Sequence, residues 1–164
     1  MDYYDTISEG YDGLHGEEQM RKLMLIEKHL SLRGYESLLD VGCGSGISTL
    51  FFKGRVGGLT GIDPSESLVR IAEQKGGARF VVGRAEELPF DDGEFDMVIS
   101  VTAIHNFSDK RKGLGEIRRV GKGAYVLTLL KKADDYDAIK ELVLDIFDVS
   151  EELDDIHDTV FIIR

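Results

Sequence analysis

The stretch Asp40-Val41-Gly42-Cys43-Gly44-Ser45-Gly46 decides the fold that this sequence predicts. It ends the apolar run that begins at Ser37 and precedes a second apolar run from Ile47, so we expect a buried strand, a tight turn and a helix. Glycines let the backbone approach a ligand closely, and the free N–H groups at the start of the helix favour that ligand. Asp63 ends the next apolar run, where an acceptor for ribose hydroxyls would lie.

Two common nucleotide-binding patterns do not fit this turn. A dinucleotide fingerprint needs a small residue three places after Gly44, and Ile47 occupies that place. A phosphate-binding loop needs a lysine followed by serine or threonine after the last glycine, and Ile47-Ser48 stands there instead.

The turn resembles the first motif of class I S-adenosylmethionine-dependent methyltransferases. Stretches similar to the other three motifs of that family follow in order and at the expected separations. They are Ile62-Asp63-Pro64-Ser65, Gly83–Phe90 and Phe95–Ser100. Because one glycine turn alone is weak evidence, the resemblance depends on all four stretches, and it covers about Tyr3 to Leu130.

This resemblance implies an α/β fold, namely a three-layer α/β/α sandwich around one doubly wound, mostly parallel seven-stranded sheet with a C-terminal antiparallel hairpin. We expect one methyltransferase domain over residues 1–164, with an N-terminal lid and helix (1–34), a cofactor-binding core (35–131) and a C-terminal helix and hairpin (132–164). Apolar patterns predict seven strands, at Ser37–Val41, Val56–Asp63, Ala78–Val82, Phe95–Ser100, Ala124–Leu130, Val149–Leu153 and Thr159–Ile163. Helical spacing predicts helices over Glu17–Leu30, from Ile47, over Ser65–Gln74, around Leu114–Val120 and over Tyr136–Ile146.

The family resemblance implies that the chain binds S-adenosylmethionine and releases S-adenosylhomocysteine. The residues that it places at the cofactor are Tyr11, Asp40, Gly42, Cys43, Gly44, Ser45, Gly46, Ile62, Asp63, Pro64, Arg84, Ala85, Glu86 and Ser100. Two of them have alternative interpretations. Asp63 could cap the helix that follows it, although Ser65 can supply that cap instead. Glu86 and Glu87 could form an exposed acidic loop.

The segment Tyr3–Asp12 is polar and aromatic and has no clear period. It is similar to the tyrosine- and aspartate-containing leader that folds over the cofactor in many small-molecule methyltransferases. In that interpretation Tyr4 and Tyr11 cover the methionine moiety, because an aromatic face suits a sulfonium cation. The alternative is a flexible terminus with surface tyrosines.

His105 is the candidate catalytic residue, since it follows the fourth predicted strand and has a natural pKa suited to proton transfer near neutrality. In the alternative interpretation it satisfies backbone groups of its loop. No proline lies between Ser100 and Phe107, so the chain departs from the Asn/Asp-Pro-Pro-Tyr/Phe motif of methyltransferases that act on nucleobase or glutamine nitrogens.

Length, composition and charge limit the number of domains, the partners and the cellular compartment that we expect for this chain. The 164 residues suit one folded domain, and the longest apolar runs are too short to cross a bilayer, so we expect no membrane span. A net charge of −11 disfavours autonomous nucleic-acid binding, and the basic run Lys110–Lys122 is interpreted as a solvated helix face. A single cysteine, Cys43, and no visible leader favour the cytoplasm. We expect no metal site.

Three functions fit these observations. The first is methyl transfer to a small-molecule acceptor, similar to the quinone-biosynthesis branch of the family. The second is a catalytic subunit for RNA or protein that needs a small activator protein as its partner. The third is a non-catalytic module that binds S-adenosylmethionine.

Overall fold

The computed structural model describes the backbone of residues 3–164 and the side chains from Gly16 onwards. Helices and strands alternate through the central part of the chain. The helices are α1 (Tyr3–Lys28), α2 (Ile47–Phe51), α3 (Glu66–Lys75), α4 (Lys110–Val120) and α5 (Tyr136–Ile146). The strands are β1 (Ser37–Val41), β2 (Gly58–Asp63), β3 (Arg79–Val82), β4 (Phe95–Ser100), β5 (Gly121–Leu130), β6 (Glu151–Asp154) and β7 (Asp158–Ile163).

The seven strands form one sheet in the order β3-β2-β1-β4-β5-β7-β6. Neighbouring strands from β3 to β5 are parallel, whereas β7 runs antiparallel to both β5 and β6. The predicted mostly parallel sheet with a C-terminal antiparallel hairpin is therefore confirmed. The order reverses between β1 and β4, and that reversal creates a crevice at the carboxyl ends of the two strands.

Each face of the sheet is covered by helices, which gives the three predicted layers. On one face Leu23 and Ile26 of α1 pack with Phe51 and other residues around α2. On the other face the apolar residues of α4 and α5, such as Leu114 and Ile139, form a second core. Successive residues along each strand point to opposite faces of the sheet and so contribute to the two cores in turn, as a sheet buried on both faces requires.

Several element boundaries differ from those predicted. Helix α1 begins at Tyr3 rather than Glu17, so the backbone of the leader from Tyr3 onwards is helical. Strand β2 begins at Gly58, because the backbone of Val56 instead pairs in an isolated bridge. Strand β5 begins at Gly121 rather than at Ala124. The apolar pattern did not predict these first residues because they include glycines, and the β4–β5 pairing has a bulge there.

Gly113 in α4, which by itself weakens a helix, has a packing role. A Cβ at this position would lie 2.6 Å from the ring of Phe107. The missing side chain lets α4 sit close to the loop after β4, and that loop borders the crevice. Glycine, although a poor helix former, therefore stands where α4 approaches the loop after β4 closely.

Within the part of the chain that the structure describes, no helix is long and apolar enough to cross a membrane. The basic run lies on α4 except for Lys122, which is on β5, and several of its residues pair with acids: Arg111 lies 3.1 Å from Asp145, and Arg119 lies 2.8 Å from Asp92. These ion pairs agree with the interpretation of the run as a solvated helix face.

Candidate cofactor and acceptor site

A cavity of about 330 Å³ lies at the carboxyl ends of β1, β2 and β4. Its wall is built mainly from the ends of the first four strands and the segments that follow them, namely residues 42–45, 62–64, 83–86 and 101–103, with residues 106–108 and a few helix residues completing it. Because β1 and β4 are adjacent in the sheet but not in the chain, this cavity occupies the switch point of the fold.

Ten of the predicted cofactor residues line this cavity together. They are Gly42, Cys43, Gly44, Ser45, Ile62, Asp63, Pro64, Arg84, Ala85 and Glu86. Four other predicted residues do not line it, namely Asp40, Gly46, Ser100 and His105. The prediction for the side chain of Tyr11, like that for Tyr4, lies outside the described residues.

The glycine turn provides the close backbone approach that its sequence indicates. Gly42 has φ +80°, and a Cβ there would lie 2.4 Å from the Cβ of Ala103, so the turn touches the loop after β4. Gly44 has φ +53° and lines the cavity, with open space where a side chain would stand. The following helix α2 has only five residues, so its dipole is small.

Asp63 is held in place by two backbone N–H groups. Gly44 N–H donates to its Oδ2 and Ser65 N–H donates to its Oδ1, each over 2.9 Å. Ser65 caps α3 by accepting from Leu68 N–H at 3.3 Å, so of the two caps that the sequence allows the structure has the serine. Each carboxylate oxygen keeps a lone pair for a further donor, such as a ribose hydroxyl.

Glu86 is a second carboxylate on the cavity wall, and it is 8% exposed. Burial opposes its ionisation, but hydrogen bonds from the backbone N–H groups of Glu86, Asp109 and Ser108, with the charge of Arg84, lower its pKa. The alternative of an exposed acidic loop is therefore wrong for Glu86, although Glu87 is exposed. Glu86 is an ionised acceptor at neutral pH.

Asp40 lies behind the glycine turn rather than in the cavity. Its Oδ2 accepts hydrogen bonds from Ser48 Oγ at 2.5 Å and Thr49 Oγ1 at 2.7 Å, and the residue is fully buried. These bonds tie the end of β1 to the first turn of α2. The structure thus gives Asp40 a role in fixing the turn, and no contact of its side chain with the cavity.

The burial of Asp40 makes stability depend on pH. Burial raises the pKa of this carboxyl from 3.8 to about 6, against the bonds from Ser48 and Thr49, while the charge of Asp63 raises it further. A raised pKa favours folding when the group is protonated, so this stabilisation is complete below about pH 4 and is lost as the pH rises through 6. Asp40→Asn removes the titration. We therefore compare the free energy of unfolding of Asp40→Asn with that of the wild type. We expect the value for the variant minus that for the wild type to rise by up to about 3 kcal/mol between pH 4 and pH 7.

Urea unfolding of both proteins across this pH range measures that difference. Asp148→Asn is the control, because that carboxyl is exposed. If the difference in unfolding free energy between the wild type and Asp40→Asn stays constant with pH, Asp40 does not titrate in this range.

Three further predicted residues support the turn or lie within it. Ser100 is fully buried at the end of β4 and donates through Oγ to the backbone oxygen of Val41 over 2.8 Å, which joins β4 to β1. Gly46 has φ +90° and packs against Phe80. Burial, followed by the charges of Asp40 and Asp63, raises the pKa of the Cys43 thiol, so this sulfur is protonated and not a nucleophile.

His105 lies in a 3₁₀ turn, Ile104–Asn106, next to residues that line the cavity. Its Nδ1 is buried and has no hydrogen-bond partner among the described residues, so it does not satisfy the loop backbone through that atom. Burial lowers the pKa of His105, while the charges of Asp158 and Asp135 raise it and that of Lys110 lowers it. The imidazole is therefore neutral at pH 7.

A buried polar network beside the cavity was not predicted. Lys22 of α1 donates to Thr102 Oγ1 at 2.7 Å and lies 3.1 Å from Asp158 of β7, and both charged residues are nearly inaccessible. Thr102 and Thr128 each donate to Asp158 Oδ2 over 2.8 Å, and Thr128 Oγ1 accepts from Thr102 N–H. The sequence signal for it was weak: Thr128 is a polar residue within the apolar run Val126–Leu130, and Asp158 is an acidic residue at the start of a largely apolar strand.

Thr102 has an unusual backbone, with φ +53°. A β-branched residue is strained in this region, and strain of about 1–3 kcal/mol persists only where the surroundings impose it. Here the network around Lys22 and Asp158 bonds both the backbone N–H and the hydroxyl of Thr102. Thr102 lines the cavity, so the strained residue forms part of the wall where β4 ends.

The described wall suits an adenosyl ligand. Glycines leave room at Gly44, the two carboxylates Asp63 and Glu86 offer acceptors on neighbouring strand ends, and Ile62 and Ala85 supply apolar surface. No group of three or more His, Cys, Asp or Glu side chains that could hold a metal occurs among the residues described. The carboxylates of Asp63 and Glu86 are hydrogen-bond acceptors, which suit an organic ligand with hydroxyl and amine groups.

Residues 39–127, more than half of the chain, match the sequence profile of the family described as "Methyltransferase domain". The chain belongs to this family. The four motifs in its sequence are those of the class that uses S-adenosylmethionine, and the sheet order and cavity agree with that membership. The expected cofactor, S-adenosylmethionine, is thereby confirmed for the family to which the chain belongs.

Two curated relatives and one solved structure illustrate the similarity. The uncharacterized methyltransferase YcgJ of Bacillus subtilis (strain 168) is 36% identical over 133 residues, which are 76% of this chain and 50% of that protein. The demethylmenaquinone methyltransferase of Thermotoga maritima is 34% identical over 139 residues, 80% of this chain and 60% of that enzyme. The chain therefore spans about half to three fifths of the length of these relatives.

The solved structure is a complex between the Haloferax volcanii Trm112 methyltransferase activator and a putative methyltransferase. It superposes with a TM-score of 0.75 at 21% identity and covers 93% of this chain and 80% of that one. Such low identity shows a shared fold and nothing further about activity.

Proposed function

We propose that this chain transfers a methyl group directly from S-adenosylmethionine to a small-molecule acceptor. The observation that carries this proposal is the cavity at the switch point, where residues 42–45 of the glycine turn and the fixed carboxylate of Asp63 face one space. Membership of the methyltransferase family supplies the reaction class.

The adenosine moiety is proposed to lie at the β2–β3 end of the cavity. Asp63 accepts hydrogen bonds from the ribose hydroxyls with the lone pairs that Gly44 N–H and Ser65 N–H leave unused. Glu86 accepts from the exocyclic amine of adenine, Ala85 N–H donates to a ring nitrogen, and Ile62 packs against the ring. Arg84 and Pro64 border this end.

The methionine moiety is proposed to follow the glycine turn toward the end of β4, where the acceptor also binds. The cofactor supplies an electrophilic methyl group on its sulfonium centre. This chain contributes positioning: the cavity wall at its β4 end is formed by uncharged side chains, including Thr102, Asn106 and Ser108. Holding a nucleophile in line with the methyl group can accelerate transfer by orders of magnitude without a dedicated base. Tyr11 as a lid residue stays a prediction.

A small-molecule acceptor is favoured by the relatives, among which is an enzyme named demethylmenaquinone methyltransferase. The cavity is enclosed enough to hold a compact ligand, and the net charge of −11 opposes binding of nucleic acid by this chain alone. Placement in the cytoplasm is proposed on the single buried cysteine.

The decisive experiment uses S-adenosylmethionine labelled in its methyl group, with cell extract separated into small-molecule, RNA and protein fractions. We expect label in the small-molecule fraction, and none when Asp63→Ala replaces the wild type. Label in RNA or protein would overturn the proposed acceptor class. Cofactor binding without any labelled product would identify a non-catalytic binding module.

His105 is tested separately once a labelled product is found. Its imidazole is neutral and its Nδ1 has no hydrogen-bond partner among the described side chains, so it can take a proton, although it does not line the cavity. If it acts as general base, His105→Ala lowers kcat by about 100-fold or more and leaves cofactor affinity unchanged. His29→Ala is the matched control, because His29 pairs with Glu151 outside the cavity. Unchanged turnover would end the general-base hypothesis.

A second candidate function is a catalytic subunit that requires an activator protein to act on RNA or protein. It is favoured by the similar fold of the methyltransferase in the Trm112 complex and by apolar side chains exposed beside α1, with Met24 52% and Ile156 67% exposed. Co-purification of a small protein with the chain, and label transfer that depends on it, would support this function over the first.

A further inference from the structure

The side chain of Gln19 on helix α1 faces the cavity, and nothing in the sequence motifs points to it. Gln19 lines the cavity wall. Its Oε1 is buried and has no hydrogen-bond partner among the residues that the structure describes. A buried amide oxygen left unpaired is costly, so such an atom on a cavity wall indicates a place where a ligand donates a hydrogen bond.

The position of Gln19 is fixed by the polar network beside it. Lys22 lies one turn further along α1 and therefore on the same side of the helix. The Lys22 ammonium bonds to Thr102 Oγ1 and pairs with Asp158, so α1 is held against the loop that follows β4. Gln19 accordingly lies at the β4 end of the cavity, away from Asp63 and Glu86 on the β2–β3 side.

The chemistry of the amide limits what can bind there. Oε1 can only accept, so the ligand must present an N–H or O–H group to it. When adenosine occupies the β2–β3 end, the amino-acid tail of the cofactor extends toward the β4 end. That tail carries an ammonium group, which is the strongest donor on the molecule.

We propose that Gln19 Oε1 accepts a hydrogen bond from the α-ammonium group of the methionine moiety, which makes Gln19 a cofactor-binding residue supplied by α1. This inference rests on the proposed function and adds a contact outside the four motifs. It also assigns α1 a direct part in the site, in addition to its packing on the sheet.

The test compares two ligands that differ in the amino-acid tail. S-adenosylhomocysteine has the α-ammonium group, and 5′-methylthioadenosine has the same adenosine and thioether without the tail. For Gln19→Leu we expect affinity for S-adenosylhomocysteine to fall about tenfold, the loss of one charge-assisted hydrogen bond, and affinity for 5′-methylthioadenosine to stay unchanged. Calorimetry measures both dissociation constants.

Two more variants make the result specific. Gln19→Glu keeps an acceptor and adds a negative charge, so it should retain or raise the affinity for S-adenosylhomocysteine. Gln74→Leu is the matched control, since Gln74 is exposed on α3 and does not line the cavity, and it should change neither affinity. Unfolding midpoints confirm that each variant is folded.

Three outcomes would overturn the inference. They are an unchanged affinity for S-adenosylhomocysteine in Gln19→Leu, an equal loss for both ligands, and a loss in Gln19→Glu as large as that in Gln19→Leu. Failure of the wild type to bind either ligand would instead contradict the proposed function itself, so the two failures are distinguishable.

Discussion

Asp63→Ala is expected to weaken S-adenosylhomocysteine binding about 100-fold or more. Two hydrogen bonds from ribose hydroxyls to a carboxylate are worth about 1.5–3 kcal/mol each, and every 1.4 kcal/mol corresponds to a factor of ten. The substitution also removes the acceptor for Gly44 N–H and Ser65 N–H. A moderate loss of unfolding free energy, about 1–2 kcal/mol, should therefore accompany the loss of affinity.

Ser65→Ala separates these two effects. It removes the acceptor for Leu68 N–H at the start of α3 and should cost about 1 kcal/mol of stability without touching a ribose contact. Calorimetric titration and urea unfolding of both variants provide the comparison. If Asp63→Ala loses no more affinity than Ser65→Ala, then Asp63 supports the turn and does not bind ribose.

Lys22→Met is expected to lower the free energy of unfolding by about 3–5 kcal/mol, a large part of the stability of a typical domain. The reason is the carboxylate of Asp158, which is fully buried and would lose the Lys22 ammonium that offsets its charge, keeping only the hydrogen bonds from Thr102 and Thr128. Thr102 would also lose the donor that holds its hydroxyl. Urea unfolding at pH 7 measures the effect.

Arg21→Met is the matched control, because Arg21 lies 3.7 Å from Asp155 with 45% of its side chain exposed, and such pairs contribute at most about 1 kcal/mol. In the double variant Lys22→Met/Asp158→Asn the stranded charge is gone, so much of the stability should return. If the Lys22→Met loss is no larger than the Arg21→Met loss, the buried pair does not stabilise the fold.

The central part of the fold was predictable because its signals are local. The strand, turn and helix around Gly42 follow from glycine and apolar spacing, and Ser65 is a recognisable helix cap. The resemblance to the family's four motifs implied ten of the cavity residues, and these lie together because residues at the ends of parallel strands share one edge of the sheet.

What could not be predicted depends on contacts between distant parts of the chain. Asp40 belongs to the first motif by sequence, yet its side chain turns inward to Ser48 and Thr49. Gln19 and Lys22 lie in a helix whose pattern indicates only packing, and Asp158 lies in a strand. Their roles depend on contacts between α1, the end of β4 and β7. The spacing of residues in the sequence does not predict those contacts.

The hydroxyl of Thr102 accepts a hydrogen bond from Lys22 of α1 and donates one to Asp158 of β7, two residues that lie far apart in the sequence. During synthesis on the ribosome, the motif-bearing half emerges long before residue 158 leaves the exit tunnel. A nascent chain can therefore arrange its glycine turn early, but the end of the cavity at Thr102 acquires its final shape only after Asp158 has left the exit tunnel. The wall at Thr102 is thus completed later in synthesis than the glycine turn on the other side of the cavity.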